Sequence, residues 1–356
     1  MISYIGIADI QQIIKDIGAA ELIAGLAAQI EADFLRWPEF DKSARLASHS
    51  HDGVIELMPI SDGRLYSFKY VNGHPRNTSD GLLTVTAFGV LAAVPTGYPL
   101  LLSEMTVTTA LRTAAMSALA AKWLARPDSK VMALIGNGAQ SEFQAIAFHH
   151  MLGIRELRLF DVDPLATAKL ERNVRSLPQL ADLSLVRTSC AAEAAHGADI
   201  VTTVTADKRN AIILTPPMIA PGVHLNAVGG DCPGKTELHP DILLRPDCRV
   251  FVEYAPQTRI EGEIQQVPPE FPVIEFAQVL SRAQPGRRDR HDVTLFDSVG
   301  FALEDFSALR FLYDLLREHP QWGRRIDLVP DLANPKDLYG GVLGAAPTRV
   351  PIHRAA

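Results

Sequence analysis

Residues 131–141 read VMALIGNGAQS, an apolar run that breaks into a glycine-rich turn and then opens an amphipathic segment. That order predicts a strand, a phosphate-binding loop and the start of a helix. Gly136 and Gly138 supply a G-x-G spacing, which lets backbone turn tightly and approach a pyrophosphate whose charge is met by amides at a helix N-terminus. Ser141 stands where a third glycine often does, and a small side chain there still allows close packing of helix on strand. About 25 residues beyond Gly136 the run 156–160 ends at Asp161, a position from which a carboxylate can bind both ribose hydroxyls of NAD. Together the two features read as a dinucleotide site. The simpler alternative is a glycine turn with a solvated aspartate.

Working outward, apolar runs at 157–161, 183–186, 200–204, 223–228, 249–253 and 293–296 alternate with helical patterns such as 164–174. Alternation of this kind predicts a parallel, doubly wound sheet. Upstream, 19–37 has Leu22, Ile23, Leu26, Ile30 and Phe34 at helical spacing, and the first 18 residues also lie within a helical pattern. After Pro38, runs at 44–50, 54–59 and 65–71 are separated by Asp52-Gly53 and Asp62-Gly63, turns that predict an antiparallel meander. The stretch 81–103 is uncharged and long enough to span a bilayer, but Pro95, Gly97 and Pro99 at its centre mark a hairpin turn. An alanine-rich helix over 108–125 leads into the nucleotide-binding unit. The expected fold class is therefore α/β: a doubly wound parallel sheet beside an α+β domain, with a boundary near Asp128. Residues 301–318 form a helix returning the chain to the first domain, and 283–292 and the tail after Gly340 read as loops.

A chain of 356 residues, 47% apolar and 21% charged, has room for two domains and a sizeable core. A net charge of −7 without a basic tract argues against nucleic acid or an anionic membrane as partner and for a small molecule. Three scattered cysteines suggest neither a disulfide framework nor a zinc site, and the N-terminus lacks the order of a signal peptide, so a cytoplasmic protein is expected. His49, His51, His74, His149, His150 and His224 show no metal-ligand spacing, so no metal is expected.

In open parallel sheets ligands sit beyond the carboxyl ends of the strands. The residues there are Gly136 to Gln140, Asp161, Thr205, and Gly229-Gly230-Asp231-Cys232-Pro233-Gly234-Lys235. In the last loop the glycines would let backbone approach a flat ring and Asp231 would be presented beside it; a turn aspartate with a solvated lysine is the alternative. The meander carries lone charges on apolar runs: Arg45, Glu56 and Lys69. Arg45 and Lys69, with Arg112 near the start of its helix, would clamp a substrate carboxylate. For any one of them alone, an ion pair serves equally well.

The segments 41–45 (DKSAR), 53–59 (GVIELMP), 68–75 (FKYVNGHP), 110–115 (ALRTAA), 226–237 (NAVGGDCPGKTE), 259–263 (RIEGE) and 296–300 (FDSVG) resemble the ornithine cyclodeaminase/mu-crystallin family. The likeness runs nearly the whole chain to about Leu338. It implies a Rossmann domain, residues 129–317, joined to a substrate-binding and dimerisation domain made of 1–128 with 318–356, and a homodimer. It implies Asp231 as catalytic acid/base with Glu56 near the reacting amines, and Arg45, Lys69, Arg112 and Val299 around the substrate. NAD would be contacted by Thr84, Arg112, Ala139, Gln140, Asp161, Thr205, Val228, Gly229, Gly230, Lys235 and Ser298, beside the loop glycines Gly136 and Gly138. The implied reaction turns L-ornithine into L-proline and ammonia, with hydride lent to NAD and returned. Lysine cyclodeamination, alanine dehydrogenation and ketimine reduction use related sites, and a non-catalytic dinucleotide-dependent ligand-binding protein is the alternative from another class. A methyltransferase also has a glycine loop and a strand-end acid, but explains neither Thr205 nor the loop at 229–231.

Overall fold

The computed structural model describes residues 1–206 and 211–343; the stretch 344–356, expected above to belong to the first domain, lies outside the described residues. The chain opens with β1 (Ile2–Ile5), α1 (Ile7–Ile17) and α2 (Ala19–Leu35). The first strand departs from the all-helical expectation. Gly6 donates its N–H to Asp9 Oδ2 at 2.8 Å, a cap that starts the helix only at Ile7 and frees Ile2 and Ile5 to be buried in a sheet. The meander follows as β2 (Asp41–Lys42), β3 (Leu46–His49), β4 (Val54–Ser61), β5 (Leu65–Gly73), β6 (Val85–Ala93) and β7 (Pro99–Glu104). The uncharged stretch is thus a hairpin turning at 94–98, and no helix among the described residues is long and apolar enough to cross a membrane.

After α3 (Thr106–Leu124) comes the alternating unit: β8 (Val131–Ile135), α4 (Ser141–Leu152), β9 (Glu156–Phe160), α5 (Pro164–Arg175), β10 (Ser184–Arg187), α6 (Ala191–Ala195), β11 (Ile200–Thr203) and β12 (His224–Ala227). It continues with α7 (Pro240–Leu243), β13 (Cys248–Val252), α8 (Ala255–Glu261), β14 (Ile274–Glu275), α9 (Phe276–Leu280) and β15 (Val293–Asp297). These eight strands form one parallel sheet in the order β10-β9-β8-β11-β12-β15-β13-β14. Strand order reverses between β8 and β11, and such a switch point opens a ligand crevice at the carboxyl ends. The α/β class is as expected, with the short β14 added beyond the expected runs.

The last elements are α10 (Ala302–Glu318), β16 (Arg324–Ile326) and α11 (Leu338–Leu343). The first sheet runs β16-β1-β7-β6-β5-β4-β2, with β3 on β4, so the first and last strands of the described chain pair side by side in it. Helix α10 packs on α2 and on β4 to β7. Asp33 of α2, fully buried, fastens the two helices by accepting from Ser307 Oγ at 2.8 Å and pairing with Arg310 at 2.9 Å. The alanines of α3 (Ala114, Ala115, Ala118, Ala120, Ala121) are buried, and their small side chains let α2, α4 and α10 close in. One apolar cluster accordingly reaches from Met58 and Leu101 of the first sheet to Leu134, Ile200 and Phe251 of the second. The irregular stretch 283–292 is not idle: Arg287 donates to Leu124 O (2.9 Å), Val223 O (3.2 Å) and Thr294 Oγ1 (2.9 Å), tying α3 to the parallel sheet.

Candidate active site

The glycine loop leaves β8 at Gly136, whose φ of +97° suits glycine, and a Cβ there would stand 2.7 Å from Val204 O on the loop after β11. Around Gly138 a Cβ would meet nothing within 4 Å, so that side of the loop is open. Asn137 between them is buried; its Nδ2 donates to Leu134 O (3.2 Å) and its Oδ1 accepts from Thr167 (2.8 Å). Ser141 at the third-glycine position is buried and closes the turn by donating to Gly138 O at 2.7 Å, so the hydroxyl adds a bond as well as fitting. Asp161 follows β9, and its oxygens accept from the N–H groups of Asn137 (2.5 Å) and Asp163 (2.8 Å). Each oxygen keeps a further lone pair for a sugar hydroxyl. Exposed Ala139 and the turn residue Gln140 lead into α4, and Gln140 Oε1 is buried without a hydrogen-bond partner. An open loop face, an unpaired buried acceptor and a held carboxylate fit a dinucleotide.

Across the switch point, Val228 extends the sheet by donating to Thr203 O (2.9 Å). The loop then presents Asp231, 55% of whose side chain is exposed, 3.2 Å from Lys235 Nζ. Lys235 is itself buried and also donates to Thr205 O at 2.9 Å. Burial disfavours its charge, but Asp231 and Glu237 outweigh that and hold the ammonium above the usual lysine range. The loop owes its shape to Gln265 as well as Pro233: Gln265 accepts from Gly234 N (2.7 Å) and donates to Lys235 O (3.0 Å).

The three cations of the sequence reading do come together, each with an acidic partner from far along the chain. Arg45 Nη1 donates to Glu56 (3.0 Å), Nε lies 3.0 Å from Glu261, and Nη2 donates to the carbonyls of Val299 (2.6 Å) and Gly300 (2.7 Å). Lys69 Nζ, on the inner face of β5, meets both oxygens of Asp305 at 2.9 and 2.8 Å. Arg112 takes Asp305 at 3.0 Å and Glu304 at 2.5 Å. Glu253 accepts from Ser298 Oγ (2.8 Å) and from the N–H groups of Val299 (3.3 Å) and Gly300 (3.2 Å). The side chains of these pairs are buried, so they are not exposed surface ion pairs.

Charge here is tuned by burial. It pulls Lys69 down to about 8, with Arg112 acting the same way against Asp305. Burial, then Glu304, raises Glu253 to about 8. Glu261 is raised to about 7 by burial, with Glu56 and Asp231 adding to it against Arg45. Arg45 in turn is held above its ordinary range because Glu56, Glu261 and Asp231 outweigh its burial. Asp231 is thus an electrostatic neighbour of Arg45 and Glu261 on one side and the partner of Lys235 on the other.

Thr84 stands apart: it precedes β6 and its carbonyl accepts from His74 N at 2.8 Å, with no described contact to the glycine loop. Sequence reasoning passed over Glu253, Gln257, Glu261, Glu304 and Asp305. Glu253 ends an apolar strand run and the strand-end rule covers it; Glu304 and Asp305 are acids inside the apolar stretch GFALEDF. Gln257, which accepts from Arg45 N (3.2 Å) and donates to Gly300 O (2.8 Å), left no such signal.

Comparison with known proteins agrees in extent with this architecture. The ornithine cyclodeaminase of Brucella suis biovar 1 (strain 1330) is 57% identical over 343 residues, 96% of this chain and 94% of that protein. A lysine cyclodeaminase whose structure was solved for its recognition of L-lysine, L-ornithine and L-2,4-diaminobutyric acid superposes with a TM-score of 0.86 at 27% identity, covering 95% of this chain and 98% of that one. An archaeal alanine dehydrogenase dimer with bound NAD gives 0.81 at 26% identity, over 92% and 99%. The ornithine cyclodeaminase/mu-crystallin family model matches residues 9–319, the span that holds the glycine loop, Asp231 and all three buried cations, and the chain belongs to that family.

Proposed function

We propose that this chain converts L-ornithine to L-proline and ammonia, using NAD that is regenerated within each turnover. The supporting observation is the position of Asp231, joined through Lys235 to the nucleotide-side loops and electrostatically coupled to Arg45 and Glu261 on the other side. The close relationship to a protein named ornithine cyclodeaminase supports the same substrate. When bound, NAD supplies an acceptor for the α-hydride and later returns it, so no net redox change occurs. Asp161 would hold the ribose hydroxyls, and the loop from Gly136 to Gln140 the pyrophosphate. Arg45, Lys69 and Arg112 would hold the substrate carboxylate, fixing the α carbon, while Glu56 lies near the amines. Asp231 would take a proton from the side-chain ammonium, which must be neutral to attack the α carbon of the imine; ammonia then leaves.

The test is stoichiometry. Purified protein with L-ornithine and a trace of NAD should form proline and ammonia in equal amounts, far beyond the NAD present, without steady NADH. One NADH per keto acid would instead mark an amino-acid dehydrogenase, faster turnover of L-lysine a different cyclodeaminase, and ligand binding without ammonia a non-catalytic protein. Cofactor choice has its own test: Asp161 should repel a 2′-phosphate, so NAD should bind tighter than NADP, and Asp161→Ser should narrow the gap. Equal affinities in the unaltered protein, by calorimetry, would refute this.

We assign residues 129–301 to NAD and 1–128 with 302–343 to substrate binding and dimerisation; the boundary expected at 317 moves to the start of α10, because that helix packs on α2 and on β4 to β7. Support for a homodimer comes from the outer face of the first sheet, where Leu46, Leu57, Tyr70 and Phe88 are cross-strand partners in one row over four strands. Leu46, Leu57 and Phe88 are exposed, and an apolar row of this kind suits a second copy. Sedimentation should give twice the chain mass, and Leu57→Lys the single-chain mass; a monomer in the unaltered protein would refute it. We place the protein in the cytoplasm, where the thiols of Cys190, Cys232 and Cys248 would stay reduced.

A further inference from the structure

Thr205 follows β11 and Gly229 follows β12, and neither lies in a regular element. One side chain nevertheless holds both. Glu237 Oε1 accepts the N–H of Thr205 at 2.9 Å and its hydroxyl at 2.5 Å, while Oε2 accepts the N–H of Gly229 at 3.0 Å. The remaining polar group of Thr205, its carbonyl, accepts from Lys235, so two residues of one short segment satisfy every polar atom of Thr205. Glu237 is buried, and its own segment is anchored in turn: the N–H groups of Glu237 and Leu238 donate to the two oxygens of Glu263 at 2.7 and 3.0 Å. The carboxylate also explains a glycine. A Cβ on Gly229 would stand 2.1 Å from Glu237 Oε1, and Gly229 is not among the residues of positive φ, so it is the approach of Glu237 that demands glycine. Gly230 is pressed similarly, with its Cβ position 2.9 Å from Glu263 Oε1.

We propose that Glu237 is a positioning residue for the dinucleotide: its carboxylate locks the loops after β11 and β12 to each other, making Thr205 and Gly229 one preorganised wall of the nucleotide crevice. The proposal rests on the NAD reading above. An unbraced wall would have to be ordered when ligand arrives, and affinity would bear that entropic cost. Glu237→Gln keeps the shape but turns one end atom into a donor that faces N–H or O–H donors, so one of the two loops is released.

The experiment titrates NAD calorimetrically into the unaltered chain, Glu237→Gln, Gly229→Ala and the double variant. Glu237→Gln should weaken NAD binding by about 10-fold or more. Gly229→Ala should do so too, by pushing the same carboxylate aside. Because both break one lock, the double variant should bind NAD no worse than the weaker single variant. If Glu237→Gln does not fold, Glu237→Asp is compared in its place. A lower melting temperature with NAD affinity within about 2-fold of the unaltered chain would overturn the proposal, since that is what a purely structural role gives. Additive losses would overturn it as well. An unaltered chain that binds NAD yet releases no ammonia from ornithine defeats the functional reading and leaves this test standing; one that binds no NAD overturns both.

Discussion

Asp231→Asn is expected to release ammonia from ornithine at least ~100-fold more slowly, the usual scale for loss of a general base, while binding NAD almost unchanged. The two halves of that expectation come from different contacts. Lys235 meets Asp231 through Oδ1, and an asparagine still offers one oxygen there, so the buried ammonium keeps a partner. Thr205 and Gly229 are fixed by Glu237 and are untouched by the change. What disappears is the capacity of a half-exposed side chain, electrostatically coupled to Arg45 and Glu261, to take a proton. Steady-state ammonia release at saturating ornithine, set beside an NAD titration, reads the two halves separately. Near-normal turnover would remove Asp231 from the chemistry. Loss of NAD binding would show a turn residue whose role is to hold the loop.

The parallel sheet was legible because its central strands β8, β11, β12 and β15 are buried on both faces and read as short apolar runs, and the expected bounds fall within one or two residues of β8, β9, β11 and β15. The meander was legible from Asp52-Gly53 and Asp62-Gly63. β1 was not, because four residues ahead of an amphipathic helix share its apolar character, and only pairing with β7 and β16 makes them a strand. β14 has two residues and no periodicity to read.

The site shows the same divide. A cation inside an apolar strand is conspicuous, so Arg45 and Lys69 stood out. Their partners did not, since Lys69 and Asp305 are 236 residues apart and Arg112 and Glu304 are 192 apart, and no local pattern pairs them. Gly229 was noticed for a physical reason that the structure supplements. Flatness for a ring was the expectation; the space its missing side chain leaves is filled by Glu237.

Asp305 is where stability meets the proposed substrate clamp, and Asp305→Asn is expected to destabilise the fold by about 3–5 kcal/mol, the cost of breaking a buried pair by removing one partner. Its carboxylate, fully buried, is shared by Lys69 and Arg112. Arg112 keeps Glu304, but Lys69 loses the one carboxylate paired with it among the described residues. The cost should depend on pH with a definite sign. Lys69 in the folded protein already titrates near 8, below its ordinary 10.5, so its burial penalty grows as pH falls from about 10.5 and is complete below about 8. Without Asp305 the folded value drops further, and the penalty keeps growing to a lower pH. Chemical denaturation should therefore show a larger loss at pH 6 than at pH 9, and a loss equal at both would contradict the assignment. Replacing the pair by apolar groups, Lys69→Met with Asp305→Leu, should restore much of the stability because no unpaired charge is left buried. It should not restore ornithine binding, since the carboxylate would have lost one of its three cations. A double variant that recovers both would show that Lys69 serves the fold alone.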